Sequence, residues 1–358
     1  MAVKMITVVG ARPQFIKAAV ISRALQSQEI IQEMIVHTGQ HYDENMSQVF
    51  FSEMGIPQPA YNLALQESRH GAMTGKMMAG LEEIFIKEKP ALVLVYGDTN
   101  STLAAALAAV KLQIPVAHVE AGLRSFNRVM PEEINRMLTD KISRFLFCPT
   151  ETAIQNLKQE GFDNNFHTIE NTGDVMLDAA NFYFNQTHAS SLKKFYTGNR
   201  KFILVTIHRP ENTQSPQKMT AIIEALNELH KDVEIILPLH PGTKKLITEY
   251  RIKTNFTTIE PIGYFDMLQL IHQSALVITD SGGLQKEAYF FRKYCITLRE
   301  ETEWIELVEN HCSFLAGSDK EKIIQMAQVF LSKSFPLTSA LYGDGRAGEK
   351  IARTLSSM

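Results

Sequence analysis

The chain has 358 residues, 45% of them hydrophobic, enough for two domains that each bury a core. Lys and Arg total 36 against 39 Asp and Glu, a formal net charge of −3, so no global field draws the chain to nucleic acid or an anionic membrane. No apolar stretch approaches the roughly 18 residues of a membrane span. The opening run is too short for a signal peptide and reads as a first buried strand. Cys148, Cys295 and Cys312 are odd in number, lack metal-type spacing and sit among apolar residues. That pattern predicts buried free thiols and a cytoplasmic setting.

In chain order, a strand over 3–9 precedes helical spacing over 16–25, then a strand over 33–37 and further helical segments. A strand over 91–96 leads to an Ala-rich helix over 103–112, and strands at 116–119 and 145–148 close this half. Between 173 and 198 the pattern weakens into Asn, Gln, Ser, Thr and Lys, which predicts the passage between domains. A second series follows, with a strand at 202–207, a helix over 218–230, a strand at 233–238 and a helix start at Thr243. Strands at 276–279 and 294–298 complete it. Such alternation predicts α/β domains with parallel sheets and helices on both faces. The expected division is 1–170 and 171–345, with 346–358 forming a helix that packs back on the first domain.

Open α/β sheets bind ligands at the carboxyl ends of their strands. Six polar clusters fall there: Gly10-Ala11-Arg12-Pro13, Gly97-Asp98-Thr99-Asn100-Ser101, Glu120-Ala121-Gly122-Leu123-Arg124, His208-Arg209, His240-Pro241-Gly242 and Asp280-Ser281-Gly282-Gly283. Small residues at Ser281, Gly282 and Gly283 leave backbone N–H groups exposed at a helix amino terminus, which suits a diphosphate. Glu287, on the first turns of that helix, is placed to grip ribose hydroxyls. Arg12 and Lys17 face an anion from the start of the first helix, where cations oppose the helix dipole. Asp98, Glu120 and Glu132 are the acid–base candidates, and the helix start at Pro131 accounts for Glu133 without any catalytic role. His208 and His240 each end a strand and are candidate substrate contacts. The absence of GxxxxGK[ST], GxGxxG and HExxH patterns disfavours ordinary ATP, NAD and metal sites.

Together these motifs resemble the UDP-N-acetylglucosamine 2-epimerase family over residues 10 to 346. The matching runs are Gly-Ala-Arg-Pro (10–13), Thr-Gly-Gln-His (38–41), Gly-Asp-Thr-Asn-Ser-Thr (97–102), His-Val-Glu-Ala-Gly-Leu-Arg (118–124) and Pro-Glu-Glu-Ile-Asn-Arg (131–136). His-Arg-Pro-Glu-Asn (208–212), Leu-His-Pro (239–241) and Thr-Asp-Ser-Gly-Gly-Leu-Gln-Lys-Glu (279–287) continue the match. The resemblance implies the GT-B fold, two Rossmann-like domains with the substrate in the cleft between them, and a homodimer. It implies non-hydrolysing epimerisation at C2 of a UDP-linked 2-acetamido sugar, by elimination and re-addition of UDP, with neither NAD nor a metal as cofactor. Asp98, Glu120 and Glu132 would manage the proton transfers, with Arg12, Lys17, Arg136 and His208 around the sugar and diphosphate. Ser281, Gly282 and Gly283 would hold phosphate, Glu287 the ribose, and Tyr264 or Phe265 would lie against uracil.

Four departures bear on the substrate. Gly-Ala-Arg-Pro-Gln (10–14) stands where much of the family has Gly-Thr-Arg-Pro-Glu, and Pro210 stands where a second Arg is usual. Thr-Glu-Trp-Ile-Glu (302–306) replaces Thr-Glu-Arg-Pro-Glu, and the stretch 40–46 also differs. These changes resemble the subgroup acting on UDP-2,3-diacetamido-2,3-dideoxy-glucuronate, an O-antigen precursor, beside the UDP-N-acetylglucosamine/UDP-N-acetylmannosamine pair. They also point to loss of an activating second nucleotide-sugar site. The alternatives are a hydrolysing 2-epimerase releasing N-acetylmannosamine and UDP, a GT-B glycosyltransferase with an acceptor requirement, and a non-catalytic nucleotide-sugar sensor.

Overall fold

The computed structural model describes residues 3–28, 30–40, 51, 54–65, 67, 69–163, 165–186, 201–336 and 340–358. His41 of the Thr-Gly-Gln-His run, the stretch on to Met46, and residues 187–198 of the expected passage lie outside the described residues. The chain divides into a first unit, Met1–Ala179 with Ala340–Met358, and a second, Ala180–Ser339. The division thus falls at Ala180 and Ala340, where 171 and 346 were expected. A helix, Val175–Phe184, runs through the region where the pattern weakened, its Val175, Met176, Ala179, Ala180 and Tyr183 all buried.

In the first unit the order is β1 (Val3–Val9), α1 (Arg12–Gln26), β2 (Ile31–His37), β3 (Tyr61–Asn62), α2 (His70–Glu88), β4 (Leu92–Tyr96) and α3 (Asn100–Lys111). Then come β5 (Val116–Val119), α4 (Pro131–Ile142), β6 (Phe145–Cys148), α5 (Glu151–Gln159) and β7 (Thr168–Asn171), and α6 (Val175–Phe184) carries the chain into the second unit at Ala180. In the second unit follow β8 (Phe202–Thr206), α7 (Pro210–Thr213), α8 (Pro216–Leu229), β9 (Glu234–Pro238), α9 (Pro241–Glu249), β10 (Thr257–Ile259) and α10 (Tyr264–Gln273). It continues with β11 (Leu276–Thr279), α11 (Gly282–Phe290), β12 (Cys295–Thr297), α12 (Ile305–Glu309), β13 (Ser313–Leu315) and α13 (Lys320–Ser332). The helix α14 (Ala347–Ser356) returns to the first unit.

Among the described residues the first sheet runs β3-β2-β1-β4-β5-β6-β7 and the second β10-β9-β8-β11-β12-β13, with parallel pairing throughout. The six strands of the second sheet follow the order of the first six of the first, and β7 has no counterpart among the described residues. In each, the first strand of the unit lies between the second and the fourth, so the strand order reverses at β1/β4 and at β8/β11. A ligand crevice is expected at such points.

Alternation along the strands explains the layers. On β8, Ile203 and Val205 join a core with Met219, Ile222, Leu226 and Ile323, from α8 and α13. Phe202 and Leu204 face a second core with Leu270, Ile271, Leu284 and Ala288, from α10 and α11. In the first unit Ile6, Val8, Val93 and Val95 pack on Met77, Leu81 and the alanines of α3. Each such buried aliphatic side chain contributes roughly 1.5–3 kcal/mol. α14 lies against α1 closely enough that a Cβ on Gly348 would stand 2.8 Å from Val20 Cγ1. Its first turn is held by the Gly348 N–H donating to Asp178 Oδ2 at 2.8 Å. All three cysteines are buried and free, as their apolar neighbours predicted.

Candidate active site

At the switch point of the first unit, the loop after β1 is held by one side chain. Gln14 Oε1 accepts the N–H groups of Gly10 (2.8 Å) and Ala11 (3.0 Å). Its Nε2 donates to the Tyr96 carbonyl at 2.8 Å, with the Thr99 and Thr102 hydroxyls at 2.9 and 3.0 Å. The departure at position 14 therefore ties the β1 loop to the β4 loop that carries Asp98. Gly10 has no room for a side chain, since a Cβ would collide with the Thr38 and Ser101 hydroxyls.

α3 begins where Thr99 caps it, accepting from the Thr102 N–H at 3.3 Å, so Asp98 stands just ahead of the helix. Asp98 pairs with Arg136 of α4, whose other amino group donates to Glu133 at 2.6 Å. Asn135 adds a hydrogen bond to the Asp98 carbonyl at 2.9 Å. The Asp98 side chain keeps 30% exposure, while Arg136 is buried. Glu120 sits at φ +73°, a left-handed conformation that a side chain adopts only when its surroundings impose it. Its N–H and that of Ala121 both donate to the Phe147 carbonyl, at 3.0 and 3.1 Å. The carboxylate pairs with Lys17 of α1, and both side chains are at least nine-tenths buried. Gly97, at φ +62°, leaves the space for this pair: a Cβ there would stand 3.3 Å from Glu120 Oε2 and 3.5 Å from Lys17 Nζ. Two candidate carboxylates, each with its own cation, thus come from adjacent strands β4 and β5.

Arg12 is half-buried in the first turn of α1, and Glu132 half-buried in the first turn of α4. Glu133 corrects the expectation that a helix start accounts for it. It is fully buried and accepts from the Ser125 N–H (2.9 Å), the Ser125 hydroxyl (3.0 Å), the Phe126 N–H (2.9 Å) and Arg136. A buried carboxylate needs such partners. It fixes the loop into α4, and with it the arginine that holds Asp98.

In the second unit, Asp280 at the end of β11 is buried and receives donors from the β8 loop. The N–H groups of His208 and Arg209 and the Asn212 amide donate to it at 3.0–3.2 Å, and His208 Nδ1 lies 3.0 Å away. Burial alone would raise the Asp280 pKa, but the His208 hydrogen bond and charge, with the Arg209 N–H and Asn212, bring it below the ordinary carboxylate range. His208 is oriented by this carboxylate while its side chain stays 48% exposed, the arrangement of an imidazole available to a ligand. Ser281 caps α11, and Gly283 has nothing within 4 Å of where a Cβ would sit. At Gly282 a Cβ would meet Glu303 Oε1 at 2.5 Å. Glu287 is buried on the second turn, and the Lys286 ammonium beside it lies 4.0 Å from the centroid of the buried Trp304 ring.

Three more expected residues have local partners. His240 caps its own helix, Nδ1 accepting from the Gly242 N–H at 3.2 Å, with the residue exposed. Tyr264 is buried edge-on to Tyr183 at 6.3 Å, and Phe265 stacks on the same ring at 5.1 Å. Sequence reasoning gave no site role to Gln14 or Asn135 and read Glu133 only as part of a helix start. The Gln beside Gly-Ala-Arg-Pro and the Asn next to Arg136 were the available signals. Among the described residues no cluster of three His, Cys, Asp or Glu could hold a metal, and no helix is long and apolar enough to cross a membrane.

Two parallel-sheet α/β domains of matching order, each with polar residues gathered at its switch point, define the GT-B class. Residues 23–356 match the family described as UDP-N-acetylglucosamine 2-epimerase. The UDP-2,3-diacetamido-2,3-dideoxy-D-glucuronate 2-epimerase of Pseudomonas aeruginosa is 51% identical over 356 residues, covering 99% of this chain and 100% of its own. The solved Methanocaldococcus jannaschii UDP-GlcNAc 2-epimerase, in complex with UDP-GlcNAc and UDP, matches at 42% identity and a TM-score of 0.92, covering 99% of this chain and 100% of that one. The Neisseria meningitidis enzyme bound to UDP-GlcNAc matches at 32% and 0.89, with coverage of 99% and 100%. The chain belongs to the UDP-N-acetylglucosamine 2-epimerase family and is an isomerase of the epimerase type, as its motifs implied.

Proposed function

We propose that this enzyme interconverts the C2 epimers of UDP-2,3-diacetamido-2,3-dideoxy-D-glucuronate without hydrolysing them. A base on the first unit removes the C2 proton as UDP departs from C1, leaving the corresponding 2,3-diacetamido glycal with its C6 carboxylate. A proton then returns to C2 on the opposite face, and UDP re-adds at C1. Asp98, Glu120 and Glu132 carry the protons, while Lys17 and Arg136 hold two of those carboxylates in place. Arg12, His208 and the α11 amino terminus at Ser281, Gly282 and Gly283 stabilise the departing diphosphate, with Glu287 on the ribose, His240 near the sugar-phosphate, and Tyr264 or Phe265 beside uracil. Departing UDP needs preorganised donors more than any other group in such a reaction.

The observation that carries the chemistry is the buried Lys17–Glu120 pair under Gly97, one strand from the Arg136-held Asp98. The choice of sugar rests on the 51% identity to the Pseudomonas aeruginosa relative against 42% to the Methanocaldococcus jannaschii one. We extend the reading to a cytoplasmic homodimer that supplies surface polysaccharide synthesis. Light scattering of the purified protein tests the dimer, and a single-chain mass removes it. Turnover of the diacetamido uronate and of UDP-N-acetylglucosamine side by side tests the substrate. The reading expects the uronate to be epimerised with UDP still attached, and faster turnover of UDP-N-acetylglucosamine would replace it.

A further inference from the structure

Beneath Gly97 and Glu120 lies a group of charges that the proposed chemistry does not use. His118, on β5 two residues before Glu120, is fully buried. Its Nε2 lies 2.7 Å from the Gly97 carbonyl and its Nδ1 2.7 Å from Asp140 Oδ1 of α4. The other Asp140 oxygen accepts from Arg124 at 2.7 Å and from the Gly122 N–H at 3.1 Å. Arg124 in turn makes a bidentate pair with Glu160, at 2.6 and 2.8 Å. With the Arg124 guanidinium and the Gly122 N–H both donating to it, Asp140 is an ionised carboxylate that accepts and does not donate. A carbonyl oxygen can only accept. Both ring nitrogens of His118 face acceptors, so both carry protons.

We propose that His118 is a buried imidazolium that acts as a positioning residue, clamping the ends of β4 and β5 so that Asp98 and Glu120 keep their working separation. Two cations, His118 and Arg124, balance two anions, Asp140 and Glu160, as a buried ionic group requires. Gly97 is held to β5 on both sides: its N–H donates to the Val119 carbonyl at 2.9 Å and its carbonyl accepts from His118. That double tie fixes the left-handed turn on which the Lys17–Glu120 pair depends and offsets the strain at Glu120. The inference rests on the proposed roles of Asp98 and Glu120.

Neutron diffraction from a deuterated crystal of the whole chain shows the ring protons directly. Density on both Nδ1 and Nε2 is expected, and density on one alone overturns the proposal whatever the enzyme's substrate. His118→Gln is expected to lower kcat about a hundredfold, the scale of a small misplacement of reacting groups, with KM little changed and the unfolding midpoint lowered, because the buried anions lose one of their two cations. Wild-type kcat in that variant, or equal losses in kcat and UDP affinity, would also overturn it. If the variant does not fold, the neutron result decides alone. Failure of wild-type enzyme to exchange the C2 proton sinks the functional reading and leaves the protonation of His118 standing.

Discussion

At the switch point of the first unit, between β1 and β4, side chains face side chains. Glu120 is paired with Lys17, Asp98 with Arg136, and little of either cation reaches solvent. At the matching point of the second unit, between β8 and β11, backbone and small residues prevail. Asp280 is spent on N–H groups of the β8 loop, and α11 opens on Ser281, Gly282 and Gly283 with empty space beside the last. One strand order therefore serves two tasks. Carboxylates locked against cations keep fixed positions for proton transfer, whereas an uncluttered helix terminus takes an anion it must also release.

Substitutions at the two points should separate those tasks. The largest effect belongs to the first unit. Glu120→Gln and Asp98→Asn should each lower kcat by at least about a hundredfold, the usual scale of acid–base catalysis, while isothermal titration still finds UDP bound. Retained turnover in either variant removes that residue from the mechanism. An intermediate effect belongs to the second unit. Gly283→Ala fills open space, so unfolding should be unchanged or stabilised by up to about 1 kcal/mol, yet UDP affinity should drop about tenfold, near the worth of one hydrogen bond to a charged group. Gly282→Ala meets the Glu303 carboxylate, so it should weaken UDP binding and lower the unfolding midpoint together. Equal behaviour of the two glycine variants would erase the distinction between open and filled space.

The smallest effect contrasts a buried carboxylate with a half-buried one. Asp280 in the second unit lies among donors, and its folded-state pKa is depressed. Its stabilisation is present above the ordinary carboxylate range and is lost as pH falls through the folded value. Asp178 in the first unit is pushed up to about 6 by burial, with the Gly348 and Ala347 N–H groups opposing and the Asp174 and Asp344 carboxylates adding to the rise. A raised folded pKa reverses the sign. That contribution is fully present below the unfolded value near 3.8 and is lost as pH rises through about 6. Asp178→Asn should therefore stabilise the protein by about 1 kcal/mol at neutral pH, after allowance for solvent screening, and by nothing near pH 4. Urea denaturation at both pH values measures it, and a gain at low pH alone would reverse the assignment.

Much of this contrast was legible in the residues. Buried apolar strands such as Leu92–Tyr96 and Leu276–Thr279 announce themselves, and the clusters that follow them fall at the strand ends. Less visible were the short edge strands. Tyr61–Asn62, Thr168–Asn171 and Thr257–Ile259 are half-exposed and polar, so no alternation marks them. α6 was obscured because its apolar residues stand beside the polar run that follows. The pairing of Lys17 with Glu120 spans 103 positions and follows from sheet order, which local pattern does not encode. Glu133 shows the converse error. Its place in a first helical turn is a sufficient local reason for an acid there, and tertiary burial then gave it four donors and a different task.

The central claim concerns the proton at C2 and the carboxylates of the first unit. Wild-type enzyme and Glu120→Gln, incubated with the UDP-linked diacetamido uronate in deuterated water, give the most direct test by NMR. Both epimers should appear as UDP-sugars carrying deuterium at C2 with wild-type enzyme, and neither should form at a comparable rate with the variant. Epimers that interconvert without taking up label, or a free sugar released beside UDP, would contradict it.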